Sequence, residues 1–183
     1  MSRPTALPPL IVAPLHAVEP LLAARKPSHL ICLASPDTPA SSFKDAPPHR
    51  LDLRFNDIAA PREGLTPPSP ANIATLLSFA NDWPSNGLPG AQPLLIHCWA
   101  GVSRSTAAAY IIACSKTAPG QETALAQALR AAAPFATPNP LMIALADAHL
   151  NRAGAMTNAI AAIGRGAETD WGRSFDLDFN RLD

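Results

Sequence analysis

The stretch Leu94-Leu95-Ile96-His97-Cys98-Trp99-Ala100-Gly101-Val102-Ser103-Arg104-Ser105-Thr106-Ala107-Ala108-Ala109-Tyr110-Ile111-Ile112-Ala113-Cys114 carries the reading of the whole chain. Leu94 to His97 is an apolar run of strand length. Residues 105 to 116 are almost uniformly apolar, and Ala107 to Cys114 contains no charge, which predicts a helix buried in the centre of the domain. Between them, Cys98 to Arg104 forms a loop. A strand, a short loop and a helix in this order point successive backbone N–H groups at one spot, with a helix N-terminus behind them. A dianionic phosphate suits that spot. Gly101, in mid-loop, allows the backbone angles that bring the N–H groups together.

The side chains of the loop fit the same ligand. A helix N-terminus and nearby positive charge favour the thiolate of Cys98, which is the nucleophilic form. Arg104 follows Cys98 after five residues. Its planar fork of donors matches two phosphate oxygens and can follow them as they spread in a transition state. The hydroxyl of Ser105 is near enough in sequence to reach the Cys98 sulfur and stabilise it as a leaving group. Trp99, Ala100, Gly101, Val102 and Ser103 line the substrate, with Trp99 at the pocket mouth. His97 is read as a residue that braces the loop.

Working outward, Leu10 to Leu15 and His29 to Ala34 are short apolar runs that read as strands, and His16 to Lys26 between them has helical spacing, stopped by Pro27. Arg50 to Phe55 alternates, with Leu51, Leu53 and Phe55 on one side, as a half-buried strand does. Residues 35 to 48 and 59 to 70 are loops rich in Pro. Ser69 with Pro70 opens a helix carried by Ile73, Leu76, Leu77 and Ala80, ending near Trp83-Pro84. Further helices are marked by Ala124 to Ala132, by Leu141 to Ala148 and by residues 155 to 163. The expectation is an α/β fold with a mainly parallel central sheet flanked by helices and a C-terminal run of helices. Residues 1–163 are read as a single domain and residues 164–183 as a poorly defined polar tail.

Composition narrows the class. The chain has 183 residues, with 48% hydrophobic and 15% charged, which favours a globular protein over a disordered one. Lys plus Arg and Asp plus Glu number 14 each, so no basic excess points to nucleic acid or a membrane surface. The run Leu10-Ile11-Val12-Ala13 is too short for a signal peptide core, and no stretch reaches the length of a membrane span. The cysteines Cys32, Cys98 and Cys114 form neither a metal pair nor a disulfide framework, which fits a reducing, cytoplasmic compartment. His16, His29, His49 and His149 show no ligand spacing, so no metal is assigned. The abundance of Ala and Pro points to a GC-rich bacterial genome. Cys114 is read as core, and Cys32 as a core-strand residue whose alternative role is a protective disulfide with Cys98.

The segment His97-Cys98-x-x-Gly101-x-x-Arg104-Ser105 resembles the signature of cysteine-dependent protein tyrosine phosphatases, and Ala100 to Ser105 is most similar to the dual-specificity branch. Pro138-Asn139, followed by apolar residues at helical spacing, resembles that branch's Pro-Asn-x-x-Phe segment, with Pro140-Leu141-Met142 in place of the aromatic. The resemblance spans roughly residues 50 to 150. It implies a phosphocysteine mechanism with no metal or organic cofactor, a phosphorylated protein or peptide as substrate, and a loop-bracing role for Asn139. It also implies a general acid upstream of the cysteine. Asp57, between the alternating strand and the Pro-rich loop, is preferred. Asp82, in Asp82-Trp83-Pro84, has the reversed order of a tyrosine-phosphatase motif, and Asp52 is a third choice. Among rival readings, a phosphoinositide phosphatase would bring Lys or extra Arg into the loop, where Trp99, Ala100 and Val102 stand. A phosphoresidue-binding module would lack Cys, Arg or acid, and a sulfur-transfer or arsenate-reducing enzyme is disfavoured by Ser103 and Ser105 around Arg104.

Overall fold

The computed structural model describes residues 8–83 and 92–180. Its strands β1 (Leu10–Pro14), β2 (His29–Ala34), β3 (His49–Arg54), β4 (Leu94–Cys98) and β5 (Phe175–Leu177) form one sheet in the order β3-β2-β4-β1-β5. The first four are parallel, and β5 runs antiparallel along β1. The expected α/β architecture with a mainly parallel sheet is therefore observed. A 3-10 turn (Leu15–Ala17) leads into α1 (Val18–Arg25), and the remaining helices are α2 (Pro70–Asp82), α3 (Arg104–Lys116), α4 (Glu122–Ala132), α5 (Pro140–His149) and α6 (Ala155–Ile163).

The two faces of the sheet are covered unequally. Ile11, Ala13, Leu30, Cys32 and Leu95 face α1, where Val18 and Leu22 meet them. Leu10, Val12, Ile31, Leu33, Leu94 and Ile96 face the layer of α2 to α6. Strand alternation thus splits β4 between two cores, with Cys98 on the multi-helix side. Because α3 lies inside that layer, every residue from Arg104 to Cys114 is buried, as a charge-free run after Arg104 requires.

Two helix starts are held by side-chain caps, of which the one at Ser69 follows its sequence signal. Ser69 caps α2 by accepting from Asn72 N, Asn72 Oδ1 accepts in turn from Ser69 N, and Pro70 occupies the first turn. Asn139 caps α5 by accepting from Met142 N at 3.0 Å, again followed by Pro.

The reading of residues 164–183 as a poorly defined tail is corrected over the described residues 164–180. Phe175–Leu177 completes the sheet, Leu177 and Phe179 are buried, and Gly166 N and Ala167 N bond Thr137 and Pro134. The polar composition concealed this because a three-residue edge strand pairing through its backbone needs little apolar sequence.

Candidate active site

Cys98 ends β4 and Arg104 begins α3, so the loop spans the gap between the sheet and its central helix. Its carbonyls turn outward. Trp99 O accepts from Leu15 N at 3.0 Å, Ala100 O from Gly172 N at 2.8 Å and Val102 O from Thr137 N at 2.9 Å. Ser103 O accepts from Ala107 N at 2.9 Å and from Asn139 N at 3.4 Å. In a planar trans peptide the following N–H points the opposite way. The amides of Ala100, Gly101, Ser103 and Arg104 are thereby directed into the loop. Gly101 has φ +72°, and a Cβ there would stand 2.6 Å from Pro14 N, so the loop can lie against the end of β1 only with glycine.

The Cys98 sulfur sits at the base of this ring. It accepts from Gly101 N at 3.3 Å and lies 3.2 Å from Ser105 Oγ. Ser105 is fully buried within the first turn of α3. Arg104 donates through Nη1 to Phe55 O at 2.9 Å and Ser35 Oγ at 3.3 Å, which fixes one edge of the guanidinium. Its Nε is buried and has no hydrogen-bond partner. A buried guanidinium N–H without an acceptor is costly, and an incoming oxyanion would satisfy it.

Asp57 is brought to the same place from 41 residues upstream of Cys98 by the segment after β3. Its Oδ1 accepts from Ser103 Oγ at 2.7 Å and from Asn139 Nδ2 at 2.8 Å, while Oδ2 lies 4.0 Å from Arg104 Nε. Ser103 stands at the N-cap of α3 but makes no cap bond with its side chain; its hydroxyl is given to Asp57 instead. Asn139 also donates to Ile58 O at 3.2 Å, so one side chain ties α5 to the Asp57 segment.

The other carboxylates lie elsewhere. Asp52 pairs with Arg50 at 2.7 Å, and the guanidinium holds its carboxyl below the usual range. Asp82 ends α2 near His29, which starts β2, whereas Cys98 stands at the C-terminal edge of the sheet. Pro84, the rest of its motif, lies outside the described residues.

His97 and Cys32 lie in register on adjacent strands, on the face of the sheet opposite Cys98. Neither His97 ring nitrogen has a hydrogen-bond partner of ordinary geometry, and the Cys98 backbone lies near enough to favour the charged ring. Alternation along β4 turns it away from Cys98, and it packs edge-on against Phe43 at 5.5 Å. Burial pushes its imidazole down to about 4. Cys32 pairs in register with His97 and shares the α1-side face, opposite Cys98. The sheet thus separates the two thiols, and burial pushes the Cys32 thiol up to about 12. All three cysteines are free.

Cavities flank the loop. One of about 320 Å³ opens beside Asp57, Val102, Ser103 and Asn139, with Arg165 and Glu168 on its outer side. Another, of about 270 Å³, lies against Arg104, Trp99, Ser35 and Thr38. Trp99 is 55% exposed and its ring lies 5.6 Å from that of Trp171, which is 43% exposed. Sequence reasoning missed Ser35, the Phe55 carbonyl, Thr137 and Gly172. All four act through position at the ends of other segments and carry no motif. Among the described residues, no group of three His, Cys, Asp or Glu is gathered as metal ligands would be, and no helix is long and apolar enough to cross a membrane.

No protein-family model and no curated protein matches the chain. Among solved structures, it is similar to DUSP15, with a TM-score of 0.59 and 21% identity over 92% of this chain and 98% of that one. Human DUSP28 aligns with a TM-score of 0.49 and 19% identity over 87% and 96% of the two chains. A mouse putative dual specificity phosphatase complexed with zinc tungstate gives 0.44 and 20% over 78% and 79%. The likeness to DUSP15 establishes the fold.

Proposed function

We propose that the protein is a cysteine-dependent phosphatase of the dual-specificity-like type, hydrolysing phosphotyrosine, and phosphoserine or phosphothreonine as well, in proteins or peptides. The observation that carries this reading is the outward bonding of the loop carbonyls, which directs the amides inward above the Cys98 sulfur. The fold likeness to DUSP15 adds to it.

In the first step the Cys98 thiolate attacks phosphorus. The P–S bond forms as the bond to the leaving oxygen breaks, and Asp57 delivers a proton to that oxygen. Since Oδ1 already accepts two hydrogen bonds, the proton is carried on Oδ2. The inward amides and the Nε edge of Arg104 hold the three equatorial oxygens. In the second step the Asp57 carboxylate takes a proton from water, whose oxygen attacks phosphorus. The P–S bond breaks, inorganic phosphate leaves, and Ser105 donates to the departing sulfur from 3.2 Å. Nothing in this sequence calls on a metal or an organic cofactor. Arg104 is the loop's only cation, which favours a single phosphate over a phosphoinositide headgroup. Three free thiols fit a reducing compartment, and we place the protein in the cytoplasm on that ground.

The reading is tested by turnover of aryl phosphates of graded leaving-group ability with wild type and Asp57→Asn. The rate of Asp57→Asn should fall most for poor leaving groups, by about 10²-fold or more. Equal losses across the series would overturn the assignment of Asp57.

A further inference from the structure

The C-terminal segment, which the mechanism does not use, touches the catalytic loop directly. Gly172 N donates to Ala100 O at 2.8 Å. A Cβ at Gly172 would stand 2.6 Å from Phe135 Cε2, 2.9 Å from Gly101 O and 3.2 Å from Ala100 O. Only a residue without a side chain lets the backbone come this close. On the loop's other side Trp99 O takes the Leu15 N–H, and Gly101 is pressed against Pro14. Residues 99 to 101 are therefore clamped between the end of β1 and the main chain at 172. Both jaws are tied together, because β5 pairs with β1 three residues beyond Gly172. Next to Gly172, Trp171 packs edge-on against His16 at 5.3 Å and beside Trp99 at 5.6 Å, which holds the segment in place.

We propose that Gly172 is a positioning residue for the phosphatase site. By holding the Ala100 carbonyl outward it fixes the Ala100–Gly101 peptide, whose N–H is the one that donates to Cys98 Sγ. The segment from 166 to 177 is thereby part of the active-site architecture. The inference rests on the functional reading above but concerns the Gly101 amide, which can be read without turnover.

The experiment compares full-length wild type, Gly172→Ala and Gly120→Ala. Gly120 has φ +99° and nothing within 4 Å of its Cβ direction, so its substitution strains the backbone far from the loop. Three quantities are read: Tm, the pH dependence of Cys98 alkylation by iodoacetate, and protection from alkylation by inorganic phosphate. Gly172→Ala should move the alkylation profile to higher pH, weaken phosphate protection and lower kcat about tenfold or more. Gly120→Ala should lower Tm alone. A semisynthetic form with an ester in place of the Trp171–Gly172 amide removes the N–H without adding a side chain, weakening besides only the Trp171 carbonyl that accepts from Thr169 Oγ1 at 2.6 Å, and should shift the profile in the same direction. It decides the matter if Gly172→Ala does not fold. An unchanged alkylation profile and unchanged phosphate protection, with only Tm lowered, would overturn the proposal. If wild type neither turns over phosphomonoesters nor is protected by phosphate, the functional reading fails, while the alkylation profiles still decide the role of Gly172.

Discussion

Asn139 Nδ2 donates to Asp57 Oδ1 at 2.8 Å, while the Oδ1 of the same Asn139 accepts from Met142 N at 3.0 Å. One buried amide thus caps α5 and orients the proposed acid. Asn139→Ala should lose the cap, about 1 kcal/mol, which lowers Tm by roughly 2–4 °C in a chain of this size. It should also depress kcat for poor leaving groups more than for good ones. Thermal melts with a leaving-group series check both effects, and equal losses across the series would reduce Asn139 to a cap.

Gly101→Ala should abolish turnover. The substitution meets both a φ of +72° and a Cβ contact of 2.6 Å with Pro14 N, which belongs to backbone and has no room to yield. Phosphate protection of Cys98 from alkylation should vanish with activity, since the inward amides would be displaced. Retention of either in a folded Gly101→Ala protein would count against the loop geometry.

His97 gives the protein an acid sensitivity unrelated to catalysis. Its folded-state value lies near 4 against an ordinary 6.5, because burial disfavours the charged ring. The unfolded chain therefore binds the proton first. Stability from the neutral ring is complete above pH 6.5 and falls as pH drops toward about 4, by up to about 3 kcal/mol. His97→Phe, which keeps a ring against Phe43, should flatten that part of the stability–pH curve. Denaturant unfolding between pH 4 and 7 measures it, and an unchanged slope would show that His97 is not the group responsible.

Arg152 and Glu122 form a buried ion pair at 2.7 Å, and Arg152 also donates to Cys114 O and Thr117 O. Arg152→Ala leaves Glu122 buried without its cation, a change of about 3–5 kcal/mol, or a fall in Tm of about 10 °C. Because the pair lies between α4 and the start of α6, kcat per folded molecule should stay at the wild-type value. A fall in kcat at a temperature where the variant is fully folded would contradict this.

Much of the architecture is legible in the sequence because it is written in side-chain patterns. The apolar run 94–96, the charge-free run 107–114 and the cap at Ser69 each act locally. Cys98, Gly101, Arg104 and Ser105 are legible for the same reason. Asp57 could be placed only through order along the chain, since its partners Ser103 and Asn139 lie 46 and 82 residues away. The direction of His97 and the order in residues 164–180 escape the sequence for different reasons. The direction of an alternating strand residue depends on which face the helices cover, and β5 and Gly172 bond through backbone, which composition does not record.

In the proposed mechanism Cys98 receives the phosphoryl group. Rapid quenching of Ser105→Ala during turnover of an aryl phosphate, followed by mass analysis of the peptide containing Cys98, tests it most directly. Loss of the Ser105 hydroxyl 3.2 Å from the sulfur should slow departure of the thiolate and let the intermediate accumulate. One added phosphoryl group is expected on Cys98, absent in a Cys98→Ser protein that has also lost turnover. An unmodified Cys98 peptide in a protein that still turns over, or full activity in Cys98→Ser, would contradict it.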